Sequence, residues 1–231
     1  HMCKIIAMNM KNYLRVFNMD SRIGIQDKII ILSQVGKKLF RGFFKRFYLK
    51  KTSGLFLVGK SVQITHGRHI YCGKNVKFED YSEIHGLSSQ GLHFGDHVTI
   101  SRGVMIRPSS YYGGDLGVGL QIGDNSSIGP YGYVGCSGKV TIGKNVMFGP
   151  KCSLFAENHV FSDTNSSIKS QGVKQKGIVV EDDCWIGSNV TILDGVTIGK
   201  GSVIGAGTLV SKNIPAGSIV IDKRNRFVRN R

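Results

Sequence analysis

The sequence predicts an all-β fold: a parallel β-solenoid of six-residue repeats, preceded by one helical segment. Three observations carry this. Aliphatic residues recur every six positions over long stretches, and those runs come in groups of three. The chain also has 31 glycines and 4 prolines. No glycine falls at every third position, so the glycines serve turns and not a collagen helix.

The N-terminal segment, residues 1–52, is expected to be helical and amphipathic. Its residues 21 to 51 read SRIGIQDKIIILSQVGKKLFRGFFKRFYLKK, with Lys37, Lys38, Arg41, Lys45, Arg46, Lys50 and Lys51 among apolar residues at helical spacing. One or two helices fit. Two uses are open: a cap over the first coil of the solenoid, or peripheral contact with an anionic membrane surface.

Residues 53–217 carry the repeat. Its clearest run is VVEDDCWIGSNVTILDGVTIGKGSVIGAGTLVSKNIP, where Val180, Ile186, Ile192, Ile198, Ile204 and Val210 are spaced by six. A small or β-branched residue follows each by four: Cys184, Val190, Val196, Ser202, Thr208 and Ile214. Glycine follows the aliphatic residue at Gly187, Gly199 and Gly205, where unusual φ is expected. Earlier sets are Val58, Ile64 and Ile70; Cys72, Phe78 and Ile84; Phe94, Ile100 and Ile106; Ile122, Ile128 and Val134; Ile142, Phe148 and Leu154. Each hexad reads as a short strand plus a turn, and three hexads make one triangular coil with the aliphatic residues inside.

Two stretches break the period: 107–121 and 156–177. Long excursions from a rigid solenoid are expected to be functional or mobile. The second contains FAENHVFSDTN and its histidine, His159. Residues 218–231 form a basic tail.

The formal net charge is +16, from 31 basic and 15 acidic residues. This suits a polyanionic partner. No helix-turn-helix, zinc finger or RNA-binding pattern is visible, so nucleic acid is not expected. The five cysteines (Cys3, Cys72, Cys136, Cys152 and Cys184) form no CxxC pair. They read as free thiols, and Cys72, Cys152 and Cys184 as core residues. With no long apolar run and no secretory signal, the expected location is the cytoplasm, at the inner membrane face if the helical segment docks there. No metal is expected: His66 with His69, and His93 with His97, are not spaced to share a ligand set on a six-residue period.

The segment WIGSNVTILDGVTIGKGSVIGAGTLVSKNIP, with a histidine loop before it, resembles the hexapeptide-repeat acyltransferases, in particular their maltose, galactoside and polysaccharide O-acetyltransferase branch. The resemblance is strong over 120–217 and pattern-level over 56–119. It implies a left-handed parallel β-helix, a homotrimer with sites between subunits, and acetyl transfer from acetyl-CoA to a hydroxyl of a carbohydrate. Acetylation of an amine and a non-enzymatic trimeric scaffold are the alternatives.

By the same resemblance, His159 takes the position of the catalytic base, and imidazole chemistry suits it. The backbone N–H of Ser188 takes that of the oxyanion donor. Trp185 either lines the pantetheine or acceptor channel or packs at a coil edge. Ala206, Ser211 and Lys212 fall where coenzyme A binds. Arg226 and Arg229 either approach its phosphates or belong to a solvated tail. Gly129 and Ser137 stand where sugar-specific relatives carry Asn and Asp, so the acceptor contacts are not implied. Tyr131, Tyr133, Tyr111 and Tyr112 are candidate platforms for a sugar ring. Glu157, Asn158 and Asp163 are candidates for orienting His159.

Overall fold

The computed structural model describes residues 20–110, 112, 114–223 and 229. The chain divides into two compact units between Lys37 and Lys38. In the first, the described residues hold the Asp20–Arg22 turn and the start of helix α1, Ile25–Lys45. Among the described residues of the N-terminal segment one helix forms, followed by a 3₁₀ turn at Arg46–Tyr48; residues 1–19 of the segment lie outside the described residues.

The second unit is a left-handed parallel β-helix. Apart from a two-stranded hairpin, its strands fall on three faces in rotation as far as Leu209–Val210, after which an isolated bridge at Ile214 precedes the last strand. The first face runs from Lys51–Thr52 to Thr197–Ile198, and the second from Phe56–Val58 to Ile219–Val220. The third runs from Gln63–Thr65 to Leu209–Val210. Strands thus lie on both sides of the expected 53–217 span. Seven full coils result. Coil 5 takes Val140–Ile142, Met147–Phe148 and Ser153–Phe155. Coil 6 takes Ile178–Val180, Trp185–Ile186 and Thr191–Leu193. Coil 7 takes Thr197–Ile198, Val203–Ile204 and Leu209–Val210.

Register explains why the period is six. On the first face Cys72, Phe94, Ile122, Ile142, Val180 and Ile198 stack in line. On the third, Ile84, Ile106, Val134, Leu154, Ile192 and Val210 do the same. All are buried. Each coil covers the edge of its neighbour, so one apolar column runs the length of the solenoid. The small inward residues Cys184, Val190, Val196, Ser202 and Thr208 fill the corners. Cys72, Cys136, Cys152 and Cys184 are buried free thiols, and desolvation pushes each thiol's pKa up.

Two expectations need correction. The first coil is not Val58, Ile64 and Ile70. Thr52 pairs with Cys72, so it supplies the first-face position, and Ile70 opens the next coil beside Leu92. The glycines after the aliphatic residues do not adopt unusual φ either. Gly187, Gly199 and Gly205 lie outside the left-handed region. They are needed for close stacking: a methyl on Gly199 would sit 2.4 Å from the Ala216 amide nitrogen, and one on Gly187 2.6 Å from that of Ala206. Left-handed backbone falls instead at the second residue of the corners between the first and second and between the second and third faces, for example Asn125, Asn145 and Asn189 (φ 58°, 56° and 57°) and Gly201 (φ 70°).

The first residue of a corner has its own rule. Its N–H is accepted by an aspartate on the next coil: Lys60 by Asp80 at 2.6 Å, Lys74 by Asp96 at 2.7 Å, Asp96 by Asp124 at 2.9 Å, Lys144 by Asp182 at 2.7 Å. Where the next coil lacks a carboxylate, that bond is not made.

Within the second unit, Lys38–Lys45 packs on the first coils through Gly42, which is buried. A methyl at Gly42 would overlap the Phe56 carbonyl oxygen. Among the described residues no helix is long and apolar enough to cross a membrane.

Candidate active site

After Phe155 the chain leaves coil 5 at the edge between the third and first faces. The Ala156 carbonyl still accepts from Gly138 N at 3.0 Å. Asn158–His159 then pairs antiparallel with Val173–Lys174, placing His159 opposite Val173. The excursion is a hairpin, tipped by a 3₁₀ turn at Ile168–Gln171. Its return is anchored by Asp194, a residue the sequence argument passed over. That carboxylate accepts from Lys176 N at 2.9 Å and Gly177 N at 2.8 Å. It obeys the same corner rule as Asp80, Asp96 and Asp182, and that rule would have found it.

The His159 ring is exposed. Among the described residues no hydrogen bond joins Asp163 to it. Its two carboxylate oxygens accept from Asn165 N at 2.9 Å and Ser166 Oγ at 2.6 Å, and these bonds hold its pKa below the usual carboxylate value. Among the described residues, no hydrogen bond joins Glu157 or Asn158 to the ring either.

Ser188 opens the corner between the second and third faces of coil 6. Its carbonyl accepts from Gly207 N at 2.8 Å. Its own N–H has no acceptor among the described residues, because the matching position on coil 7 is Ala206. The Ala206 N–H is in the same state. Below Ser188, Gly149 keeps the approach clear: a methyl there would lie 2.7 Å from the Ser188 nitrogen. A free, fixed amide is what an oxyanion needs. Trp185 stands next to this corner, 55% exposed, on the outward ladder between Met147 and Val203.

Ser211 and Lys212 occupy the edge between the third and first faces of coil 7 and are exposed. Arg229 is exposed; Arg226 and Tyr111 lie outside the described residues. Tyr131 is exposed at the corner of coil 4. Tyr133 is half-buried, packed across Gly135 and 5.5 Å, ring to ring, from Phe155. Burial raises its phenol pKa, with Arg107 opposing the shift and Glu157 adding to it. Arg107 in turn grips Glu83 through two hydrogen bonds, 3.1 and 3.2 Å. Among the described residues no group of three or more His, Cys, Asp or Glu is placed to hold a metal.

The chain therefore sorts these residues into two sets. Trp185, Ser188 and Ala206 gather at or beside one edge of the third face. His159, Ser211 and Lys212 gather at the other. Ser211 lies five positions after Ala206 along coil 7, about 16 Å of extended chain. Within one chain, His159 follows the strand that ends the third face of coil 5, and the Ser188 amide stands at the edge where the third face of coil 6 begins.

Comparison with known proteins agrees with this architecture. Residues 177–212 match the family model described as bacterial transferase hexapeptide (six repeats). A protein named as a probable acetyltransferase of Mycobacterium tuberculosis is 29% identical over 169 residues, covering 73% of this chain and 52% of the relative. A galactoside O-acetyltransferase of Lactococcus lactis is 34% identical over 77 residues, 33% of this chain and 36% of the relative. The chain thus spans about half or less of the length of these curated relatives. Among solved structures, AntD, an N-acyltransferase from Bacillus cereus in complex with dTDP and 3-hydroxybutyryl-CoA, superposes with a TM-score of 0.50 at 19% identity, over 78% of this chain and 81% of that one. That likeness concerns the fold. By its six-residue period, its three-faced coils and these matches, the chain is similar to hexapeptide-repeat bacterial transferases.

Proposed function

We propose that this protein transfers an acetyl group from acetyl-CoA to a hydroxyl of a sugar or surface polysaccharide precursor. The observation that carries the reading is the unpaired, rigidly held N–H of Ser188 on coil 6, at one edge of the face whose other edge His159 leaves one coil below. The relatives named as acetyltransferases support it.

In this mechanism the acceptor hydroxyl attacks the thioester carbonyl as His159 removes its proton. An alcohol is a poor nucleophile until that proton is taken. The carbonyl oxygen gains negative charge, which the Ser188 N–H meets. The carbon–sulfur bond then breaks, and the proton held by His159 passes to the departing thiolate. Atoms and charge balance: one ester and one thiol form. Ala206 and its neighbours receive the pantetheine chain, Trp185 flanks it, and Lys212, Arg226 and Arg229 face the nucleotide phosphates.

The separation of the two residue sets across the third face supports a homotrimer. The His159 edge of one chain then meets the Ser188 edge of the next, and each site is shared. A head-to-tail interface of this kind closes into a ring of three. We also infer peripheral contact with a membrane through helix α1, which would bring the enzyme to a lipid-linked glycan.

The test is thiol release from acetyl-CoA with sugar acceptors, for the native protein and His159→Ala. The expected result is turnover lowered about 10²- to 10⁴-fold in the variant, with acetyl-CoA still raising the melting temperature of both. At a hundredfold excess over its dissociation constant a ligand adds about 2.7 kcal/mol. Absence of any stabilisation in either protein contradicts the reading. Turnover only with an amino sugar would move the acceptor to an amine while leaving the site in place.

A further inference from the structure

We propose that the outer face of helix α1 and the turn after it docks on the surface of an anionic phospholipid bilayer. The inner face is already committed. Gly42 lies on the Phe56 backbone, Lys38 pairs with Glu79, and Arg41 Nη1 reaches the Val58 carbonyl at 3.5 Å. The opposite face presents Phe40, Phe44 and Phe47, which are 66%, 58% and 73% exposed. Their spacing of four and three puts them in one row. Phe43 locks the row together, with ring centroids 5.4 Å from Phe44 and 5.6 Å from Phe47. Phe40 meets Phe44 at 5.1 Å. This is a preformed aromatic ridge in water, and a contiguous apolar patch of that kind marks an interaction surface.

Charge identifies the partner. Residues 28–51 contain Lys28, Lys37, Lys38, Arg41, Lys45, Arg46, Lys50 and Lys51 and not one Asp or Glu. Lys45, Lys50 and Lys51 are exposed and make no ion pair among the described residues. An apolar ridge bordered by cations matches a bilayer interface: the rings enter the acyl boundary while the ammonium groups meet lipid phosphates. A nucleic acid would satisfy the cations but leave the phenylalanines wet. A second copy of this helix would cover the rings but bring like charges together.

Vesicle sedimentation tests this without any acyl-transfer assay, so it stands or falls apart from the proposed activity. The native protein is expected to pellet with vesicles of roughly two parts phosphatidylcholine to one of phosphatidylglycerol and to remain free of phosphatidylcholine alone. Raising salt should release it. Lys45→Ala with Lys50→Ala should weaken binding about 25-fold, some fivefold for each cation. Phe40→Ser, Phe44→Ser and Phe47→Ser together should abolish it while the solenoid melts at its native temperature. Equal binding to both vesicle types, no binding to either, or undiminished binding by the triple serine variant overturns the proposal. So does a change in assembly mass in that variant with vesicle binding intact, which would assign the ridge to a second copy.

Discussion

His159 and Ser188 stand at opposite edges of the same face, one coil apart. His159 leaves coil 5 where the third face ends, and Ser188 opens the third face of coil 6. The Ser188 N–H is unpaired because Ala206, directly above it, has no carboxylate. Every aspartate in the equivalent register elsewhere would have occupied such an amide, as Asp182 does for Lys144.

That relationship yields a clean substitution. The corner of coil 5 is Pro150-Lys151 after Gly149 and that of coil 6 is Ser188-Asn189 after Gly187, with left-handed φ at the second corner residue of both (59° and 57°). Proline fits the first position of such a corner. Ser188→Pro therefore keeps the backbone and deletes only the N–H. Turnover should fall about 10²- to 10³-fold, the cost of one oxyanion donor, with the melting temperature unchanged. Ser188→Ala should leave turnover intact, since the hydroxyl has no part in the step. Ala206→Asp should imitate Ser188→Pro by filling the amide from above. Steady-state kinetics and thermal melts of the three variants check this.

The two classes of glycine should separate in stability. Gly199→Ala forces a methyl to 2.4 Å from a backbone nitrogen and should cost about 1–3 kcal/mol, the range for overpacking. Gly201→Asn puts at φ 70° the residue type that Asn125, Asn145 and Asn189 already supply at that corner. It should change stability by no more than about 0.5 kcal/mol. Denaturant unfolding distinguishes the two.

Acid should weaken the fold through His85. This ring is buried, and desolvation, reinforced by His66 and Arg107, holds its pKa below the usual histidine value; Glu83 opposes the shift. The unfolded chain binds the proton near the ordinary pKa of about 6.5, and the folded chain does not. Stability is therefore full above that pH and declines as pH falls from about 6.5 toward the folded value. His85→Gln should flatten the melting temperature between pH 7 and pH 5 relative to the native protein. An unchanged slope would place the acid sensitivity in another group.

Much of the fold was legible in the sequence because the six-residue ladder from Val180 to Val210 has only one compact solution. The first coil was not, because Thr52 breaks the aliphatic pattern at the position where Cys72 pairs. The glycine argument failed for a related reason. A one-dimensional period shows where glycine recurs but not whether φ or a neighbouring coil demands it. The same limit applies to the candidate site. Spacing marks Ser188, Ala206, Ser211 and Lys212 as corner residues. Only the closure of the coil shows that the first two and the last two occupy different edges.

The most direct measurement is complementation between two inactive chains. His159→Ala and Ser188→Pro are co-expressed with different affinity tags, and assemblies carrying both tags are isolated and assayed for thiol release. Shared sites pair an intact His159 from one chain with an intact Ser188 from the other. In a ring of three that carries both variants, one of the three sites is whole, roughly a third. The expected result is activity regained to about that fraction in the mixed assemblies, with each variant alone inactive. Mixed assemblies as inactive as their parents would contradict a site shared between chains.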